Sequence, residues 1–183
     1  MAVNIFDIST NPVSGESFRG ISFNEEAFVM EWTLQPEGYV PFEHIHLNQD
    51  EIFHVKSGEL KVVLNNKEHI VQAGESITVH KGIRHIAYNN KKEMLNCVVE
   101  YKPGLDQDKF MQCLAGLTND NLLDKKGGID IPRMGYCLMR MKAKSMARPT
   151  AIPALAFNLA LRVFYIRGIL SGWGKLYNKY VTV

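Results

Sequence analysis

Residues 38–58 read GYVPFEHIHLNQDEIFHVKSG, and this segment is the strongest indicator of the fold in the 183-residue chain. It contains two histidines separated by one residue, His44 and His46, and a glutamate, Glu51. Residues two apart in a β-strand point to the same side, so both imidazoles can face one interior point. Glu51 follows after a turn, and we expect its carboxylate to reach the same point.

A third imidazole is available further along the chain. Residues 74–89 read GESITVHKGIRHIAYN and contain His85. Three imidazoles and one carboxylate suit a divalent metal ion such as Fe, Mn, Ni, Cu or Zn, with positions left open for water or substrate. The alternative is a metal-free pocket in which hydrogen bonds and water satisfy the same polar groups.

The segments around these histidines are typical of short β-strands separated by turns. Residues 28–34 alternate, which places four side chains on one face: Phe28, Met30, Trp32 and Leu34. Asn65-Asn66 is a pair typical of a hairpin turn between two further strands. Short strands at this regular spacing predict an antiparallel β-barrel over residues 15–103 rather than alternating strands and helices.

The two histidine segments resemble the paired signature of the cupin superfamily. The first is matched by Gly38, His44, His46, Glu51 and Gly58, and the second by Gly74, Gly82, His85 and Asn89. The resemblance implies a small double-stranded β-helix, a jelly-roll barrel of the RmlC-like kind. It also implies a metal ion held inside the barrel by four ligands, which are His44, His46, Glu51 and His85. The four glycines and Asn89 are expected to serve the structure of the motifs.

The second segment departs from the signature at His80, where the family usually has proline. Loss of the proline would make this loop less rigid without changing a ligand. His80 is either an acid or base at the pocket mouth or a surface residue. We favour the surface, because Ile77 and Val79 take the core face and send His80 outward. His54 and His69 are likewise expected at the surface.

Four aromatic residues offer candidate pocket walls, although aromatic side chains in a small barrel more often belong to the core. They are Trp32, Tyr39, Phe42 and Tyr88. We favour core positions for them, since a pocket uses few of the aromatic residues in a domain.

The cysteines and the start of the chain indicate the cellular environment. Cys97, Cys113 and Cys137 are odd in number and lack a paired spacing, which is typical of buried thiols in a reducing compartment. Residues 1–7 resemble no secretory signal. We therefore expect a cytoplasmic protein, with association at the periphery of a membrane as the alternative.

The net charge of +2 conceals a strong asymmetry. Residues 1–124 carry 10 basic and 18 acidic residues, a net charge of −8, whereas residues 125–183 carry 11 basic residues and one acidic residue, a net charge of +10. Such asymmetry indicates different environments or partners. We divide the chain into a barrel domain with an N-terminal arm, residues 1–104, and a helical basic extension, residues 105–183.

Helical spacing in the extension predicts helices over residues 106–117, 133–146 and within 154–180. One apolar stripe in the last of these consists of Leu155, Leu159, Val163, Ile166 and Leu170. We favour packing of this stripe on the barrel or on a dimer mate. The alternative is that residues 150–183 lie on an anionic membrane surface, helped by a basic aromatic tail made of Trp173, Lys175, Tyr177, Lys179 and Tyr180. No nucleic-acid-binding signature is present, so nucleic acid is disfavoured as a partner.

Taken together, these patterns predict a homodimeric metal-binding cupin that takes a small-molecule ligand or substrate. A metal-dependent dioxygenase is the leading enzymatic interpretation, ahead of an isomerase or a decarboxylase. No second catalytic acid or base is evident, which favours chemistry carried out by the metal. The alternative from another class is a non-catalytic sensor of a small ligand, associated with a membrane surface through its basic extension.

Overall fold

A computed structural model describes residues 3–141, 148–150 and 152–181. Within them the chain forms strands and helices in this order: β1 (Ser9–Asn11), β2 (Glu16–Phe23), β3 (Phe28–Leu34), β4 (His44–Ile45), β5 (Asp50–Ser57), β6 (Glu59–Leu64), β7 (Lys67–Gln72), β8 (Ser76–Val79), β9 (Arg84–Tyr88), β10 (Leu95–Lys102), α1 (Gln107–Asn119), α2 (Ile131–Arg140), β11 (Arg148–Pro149), α3 (Ala154–Leu170) and α4 (Trp173–Tyr180).

The strands form two antiparallel sheets. One sheet has the order β1-β2-β3-β10-β5-β8, and the other has the order β11-β4-β9-β6-β7. The main core combines side chains from both sheets, such as Trp32 and Val99 from the first and Val62 and Ala87 from the second. The predicted fold class is confirmed: the chain is a double-stranded β-helix of antiparallel strands followed by helices.

Local sequence explains why these strands form where they do. The alternation predicted for β3 is confirmed, because every second side chain from Phe28 to Leu34 is buried. Asn65 and Asn66 adopt φ values of 47° and 70°, the left-handed conformation that a two-residue hairpin turn between β6 and β7 requires. The short strands β1 and β11 were not predicted, since two or three residues carry no readable alternation.

Helix α1 begins close to its predicted start and packs against the barrel. Its side chains Met111 and Ala115 belong to the barrel core. The domain boundary at residue 104 stays a prediction. Helix α2 starts at Ile131, where the Asp130 side chain accepts a hydrogen bond from the backbone N–H of Arg133. The predicted continuation of this helix over residues 142–147 lies outside the described residues.

The four helices share a second core. It is built from Cys113 and Leu117 of α1, Met134, Tyr136, Cys137 and Leu138 of α2, Phe157 of α3, and Tyr177 and Tyr180 of α4. The three cysteines of the chain are buried free thiols, as predicted. Helix α3 approaches α2 closely at Gly168, where an added Cβ would lie 2.2 Å from the ring of Tyr136.

The sequence favoured packing of the α3 stripe on the barrel or on a dimer mate. The prediction that the stripe packs on the barrel is wrong. Leu155 and Leu170, at its two ends, are 84% and 83% exposed, and the helix docks through Phe157 and Gly168 instead. Helix α3 is apolar on both sides, so the sequence periodicity could not show which side faces inward. Within the described residues, no single helix has the length and apolar character to cross a membrane, and only α3 and α4 together, bent by 91°, meet that test.

The aromatic tail of the extension is also arranged differently from the alternative prediction. Tyr177 and Tyr180 are buried, and Tyr180 covers Gly116 of α1. The Lys179 ammonium donates to the Asp120 carboxylate at 2.6 Å. These contacts commit α4 to the helical core, because its aromatic side chains and one of its lysines already have partners in the protein.

Candidate metal centre and cavity

Strand pairing brings the four predicted site residues together. His44 on β4 lies directly opposite His85 on β9, and their ring centroids are 4.3 Å apart. His46 follows β4, with its ring centroid 4.9 Å from that of His44. Glu51 comes from β5 in the opposite sheet. All four residues are buried, and one donor atom from each lies within 4.8 Å of the others.

Backbone carbonyl groups orient two of the imidazoles. The Nδ1–H of His44 donates to the carbonyl oxygen of Phe42 at 3.1 Å, and the Nδ1–H of His85 donates to that of Ile83 at 3.1 Å. Since a carbonyl oxygen can only accept, each Nδ1 must carry a hydrogen. This arrangement directs the Nε2 atoms of both rings to the centre of the cluster, as is usual for histidines that bind metals.

The Glu51 carboxylate contacts Nε2 of two of the three histidines. Its Oε2 lies 2.8 Å from Nε2 of His85 and 3.2 Å from Nε2 of His46. Burial by itself raises the pKa of the Glu51 carboxyl, but the hydrogen bonds from both histidines outweigh it and hold the pKa well below its ordinary value. Burial lowers the pKa of His85, yet its hydrogen bond to Glu51 and the charge of Glu51 raise it overall. The cluster therefore contains a carboxylate that attracts a cation.

His44 behaves differently from His85. Burial, followed by repulsion from the neighbouring His85 and His46, holds its pKa well below the ordinary value. His44 is therefore neutral at pH 7, and its Nε2 lone pair is available to a metal ion.

The cluster opens into a mostly apolar cavity. Its empty space, including the opening to solvent, is about 800 Å³. Apolar walls come from the barrel and from the extension: Met30, Trp32, Val40, Pro41, Phe42, Phe53, Ala87, Phe110, Met111, Leu114 and Ile129. Helix α1 and the loop before α2 thus close part of the site, so the extension contributes to the cavity as well as to its own core.

Two further titratable residues line the cavity, and sequence reasoning missed both. Tyr101 lies next to Glu51, and burial together with the negative charge of Glu51 raises the pKa of its phenol well above the ordinary value. Glu16 accepts a hydrogen bond of 2.7 Å from Nε1–H of Trp32. Glu16 is in phase with the buried Phe18 on β2, a signal that alternation alone could have provided. The expectation of a cavity without a second acid or base is therefore revised.

The buried carboxyl of Glu16 predicts a pH effect on stability. Burial raises its pKa from 4.5 to about 7, against the opposing effect of the Trp32 hydrogen bond and with the help of the charge of Glu51. Between pH 4.5 and about pH 7, the folded state binds more protons than the unfolded state, so the free energy of unfolding falls as pH rises. The shift corresponds to a loss of about 3 kcal/mol across this window.

Replacement of Glu16 by glutamine is expected to remove this loss, because an amide oxygen still accepts from Trp32 but cannot ionise. Urea unfolding of wild type and Glu16→Gln between pH 4.5 and 8 measures the effect. Glu26→Gln, at an exposed position, is the matched control and should follow the wild type. Parallel curves for wild type and Glu16→Gln would contradict the prediction.

The other predicted residues occupy varied positions. Trp32 and Phe42 line the cavity, whereas Tyr39 and Tyr88 pair with each other in a β-bridge. The His80 side chain is 73% exposed and lies 3.2 Å from the Asp50 carboxylate, as expected of a surface residue. His54 and His69 are half-buried outside the cavity. Three motif glycines, at 58, 74 and 82, have positive φ, and Gly38 leaves no room for a Cβ because Gln35 O would lie 2.8 Å away.

Comparisons with known proteins agree with this architecture. Residues 30–101 match the family model described as a cupin domain. These residues form a cupin domain. The matched residues include the whole cluster: His44, His46 and Glu51 belong to the first motif, and His85 belongs to the second. No curated protein sequence matches the chain significantly.

Several solved structures share the fold of this cupin. KdgF from Halomonas sp. is 15% identical, and the match covers 55% of this chain and 89% of that one with a TM-score of 0.50. An RmlC-like cupin from Shewanella frigidimarina NCIMB 400 is 17% identical over 55% of this chain and 86% of that one, with a TM-score of 0.47. An uncharacterised conserved protein with a double-stranded β-helix domain from Klebsiella pneumoniae is 23% identical over 47% and 70%, with a TM-score of 0.44. At 15% identity and a TM-score of 0.50, the similarity to KdgF concerns the fold alone.

Proposed function

We propose that this cupin binds a divalent metal ion through His44, His46, Glu51 and His85 and acts as a metal-dependent dioxygenase on a small organic substrate. The observation that carries the proposal is a buried cluster of three imidazoles and one carboxylate at the end of an apolar cavity. The cytoplasmic location and the homodimer predicted from the sequence stay predictions.

The donor set fits a metal ion. Carbonyl groups orient His44 and His85 through Nδ1, which leaves Nε2 of each ring for a ligand inside the cluster. Because Nδ1 of His85 carries a hydrogen, its contact with Glu51 requires a second proton on Nε2, and a divalent cation would replace this proton. A bound ion of this type supplies Lewis-acid or oxygen-activating chemistry.

The cavity walls indicate the kind of substrate. Trp32, Phe42 and Phe53 present aromatic surface, and their neighbours are mostly aliphatic. Such walls bind the apolar body of a small molecule and exclude water, whereas a sugar would leave its hydroxyl groups without partners. This preference favours oxygenation of a largely apolar compound over isomerisation of a carbohydrate.

Two side chains of the cavity can handle protons. The phenol of Tyr101 is protonated at neutral pH and hydrogen-bonds with the neighbouring Glu51; burial, together with Glu51, raises its pKa well above the ordinary value. It is a hydrogen-bond donor beside the cluster, where an oxygen atom of the substrate could accept from it. Burial raises the pKa of Glu16 to about 7, so its carboxyl group can accept or release a proton near neutral pH. In a dioxygenase reaction both atoms of O₂ enter the product and the substrate is the reductant, so no further electron donor is needed.

Oxygen uptake tests the proposal. We expect protein reconstituted with Fe(II) under anaerobic conditions to consume O₂ with at least one member of a panel of small apolar substrates, and to place both atoms of ¹⁸O₂ in the product. Glu51→Gln should consume none, while the surface variant His80→Ala should match the wild type. Tight binding of panel compounds without oxygen uptake would contradict the enzymatic proposal and indicate a non-catalytic ligand-binding protein.

A further inference from the structure

A continuous apolar surface on α3 belongs to neither the barrel core nor the cavity. Six large aliphatic side chains project from it, each more than half exposed: Leu155 (84%), Leu170 (83%), Leu159 (67%), Ile166 (59%), Val163 (58%) and Ile169 (57%). We call this set the α3 outer face. Single exposed aliphatic residues are common on soluble proteins, but six on one side of a 17-residue helix indicate an interaction surface.

The inner side of α3 holds the helix in its present orientation. Phe157 and Gly168 lie opposite the α3 outer face and are buried. A Cβ added to Gly168 would lie 2.2 Å from the Tyr136 ring, and one added to Gly135 would lie 2.8 Å from Phe164. Rotation of α3 to bury its outer face would expose Phe157 and break this close packing. The outer face is therefore exposed because the inner face packs better on α2.

Basic residues border the α3 outer face. Arg162 and Arg167 are exposed close to its two edges, and Lys175 is exposed on the following helix. The last acidic residue of the sequence is Asp130, so residues 131–183 contain no carboxylate side chain. Long arginine side chains can keep their methylene groups on an apolar surface while the guanidinium reaches a phosphate.

A second copy of the chain is the main alternative partner for this surface. Symmetric pairing of two α3 outer faces would bring Arg162 and Arg167 of both copies into one interface, with no acidic side chain on α3 or α4 to neutralise them. Like charges in such an interface oppose association. An anionic bilayer fits both the apolar face and the basic residues beside it. Its acyl chains can surround the aliphatic side chains, and its phosphates can accept hydrogen bonds from the guanidinium groups.

We propose that the α3 outer face docks this protein on the surface of an anionic membrane. The helix lies along the surface with its aliphatic side chains at the boundary between headgroups and acyl chains, and Arg162 and Arg167 contact lipid phosphates. The inner side of α3 stays packed on α2. This surface uses no residue of the metal cluster or the cavity walls, so the proposal is independent of the enzymatic one.

Vesicle flotation of the full-length protein tests the proposal. We expect binding to vesicles of phosphatidylcholine with phosphatidylglycerol at low salt, and at least about tenfold weaker binding to phosphatidylcholine alone or at high salt. The double variant Leu159→Gln with Ile166→Gln should bind at least about tenfold more weakly, because it places polar groups in the apolar face. Arg162→Gln with Arg167→Gln should lose most of the preference for the anionic lipid.

The matched control is Ile21→Gln with Ile70→Gln, which changes two exposed aliphatic residues of the barrel, 46% and 49% exposed, and should bind like the wild type. Circular dichroism and the molar mass in solution are measured for every variant. Absence of wild-type binding at low salt, or equal binding by the Leu159→Gln/Ile166→Gln protein, would overturn the proposal. A wild-type dimer that this variant converts to monomer, without vesicle binding, would assign the face to a second copy and also overturn it.

Discussion

Glu51→Ala and His46→Ala are expected to lose metal that the wild-type cupin retains. Glu51 provides the only carboxylate of the cluster and the negative charge that attracts a cation, and His46 provides one of three imidazoles. Removal of one ligand from a four-ligand site should reduce the metal content after gel filtration to about one-tenth of the wild-type content or less. Elemental analysis of the purified proteins measures this content and also identifies the metal.

Two controls separate metal loss from unfolding. His80→Ala removes an exposed histidine and should retain the wild-type metal content. Glu51→Gln preserves the volume of the side chain, so its circular dichroism spectrum should match that of the wild type even though its metal content falls. Equally low metal in the wild type and in the ligand variants, after exposure to Fe(II), Zn(II) and Ni(II), would contradict the metal centre and favour a metal-free pocket.

Asn89→Ala is expected to cause a large loss of stability. Asn89 is 1% exposed, and its hydrogen bonds join the end of β9 to two other loops. Its side-chain amide donates to the carbonyl groups of Leu34, Gln35 and Glu93, and its side-chain oxygen accepts from the backbone N–H of Lys91. Truncation removes the partner of the buried Leu34 carbonyl group and of three part-buried backbone groups, which should lower the free energy of unfolding by about 3 kcal/mol.

Urea unfolding measures the effect of Asn89→Ala. The neighbouring Asn90 is exposed, so Asn90→Ala is the matched control and should change the free energy of unfolding by less than about 0.5 kcal/mol. Asn89→Asp keeps the acceptor for Lys91 but places a buried carboxylate oxygen against three carbonyl oxygens, and should destabilise at least as much as Asn89→Ala. A change for Asn89→Ala as small as that of the control would show that water or other groups replace its hydrogen bonds.

Much of the barrel could be predicted from short-range patterns. The alternation in β3 and the Asn65-Asn66 turn depend on neighbouring residues, and each follows from a conformational preference that acts locally. His44 and His46 face the same point for the same reason. Local patterns were not enough to assign Glu51 and His85 to the site. Their assignment depended on the spacing of the two motifs and on their resemblance to the cupin signature.

The rest of the cavity could not be predicted in this way. Glu16 and Tyr101 belong to strands without a recognisable motif, and they meet the metal cluster only because β2 and β10 lie in the same sheet as β5. Phe110 and Ile129 also line the cavity, but they come from the extension, where no sequence motif indicated contact with the barrel. Their positions depend on contacts between distant parts of the chain.

The extension shows most clearly what local patterns leave open. Its excess of basic residues and its helices are evident from composition and periodicity, since both are properties of the residues themselves. The side of α3 that faces inward is not evident, because both sides of the helix are apolar and the sequence pattern does not distinguish them. The close contact of Gly168 with Tyr136 makes that choice, and it thereby leaves the row from Leu155 to Leu170 exposed.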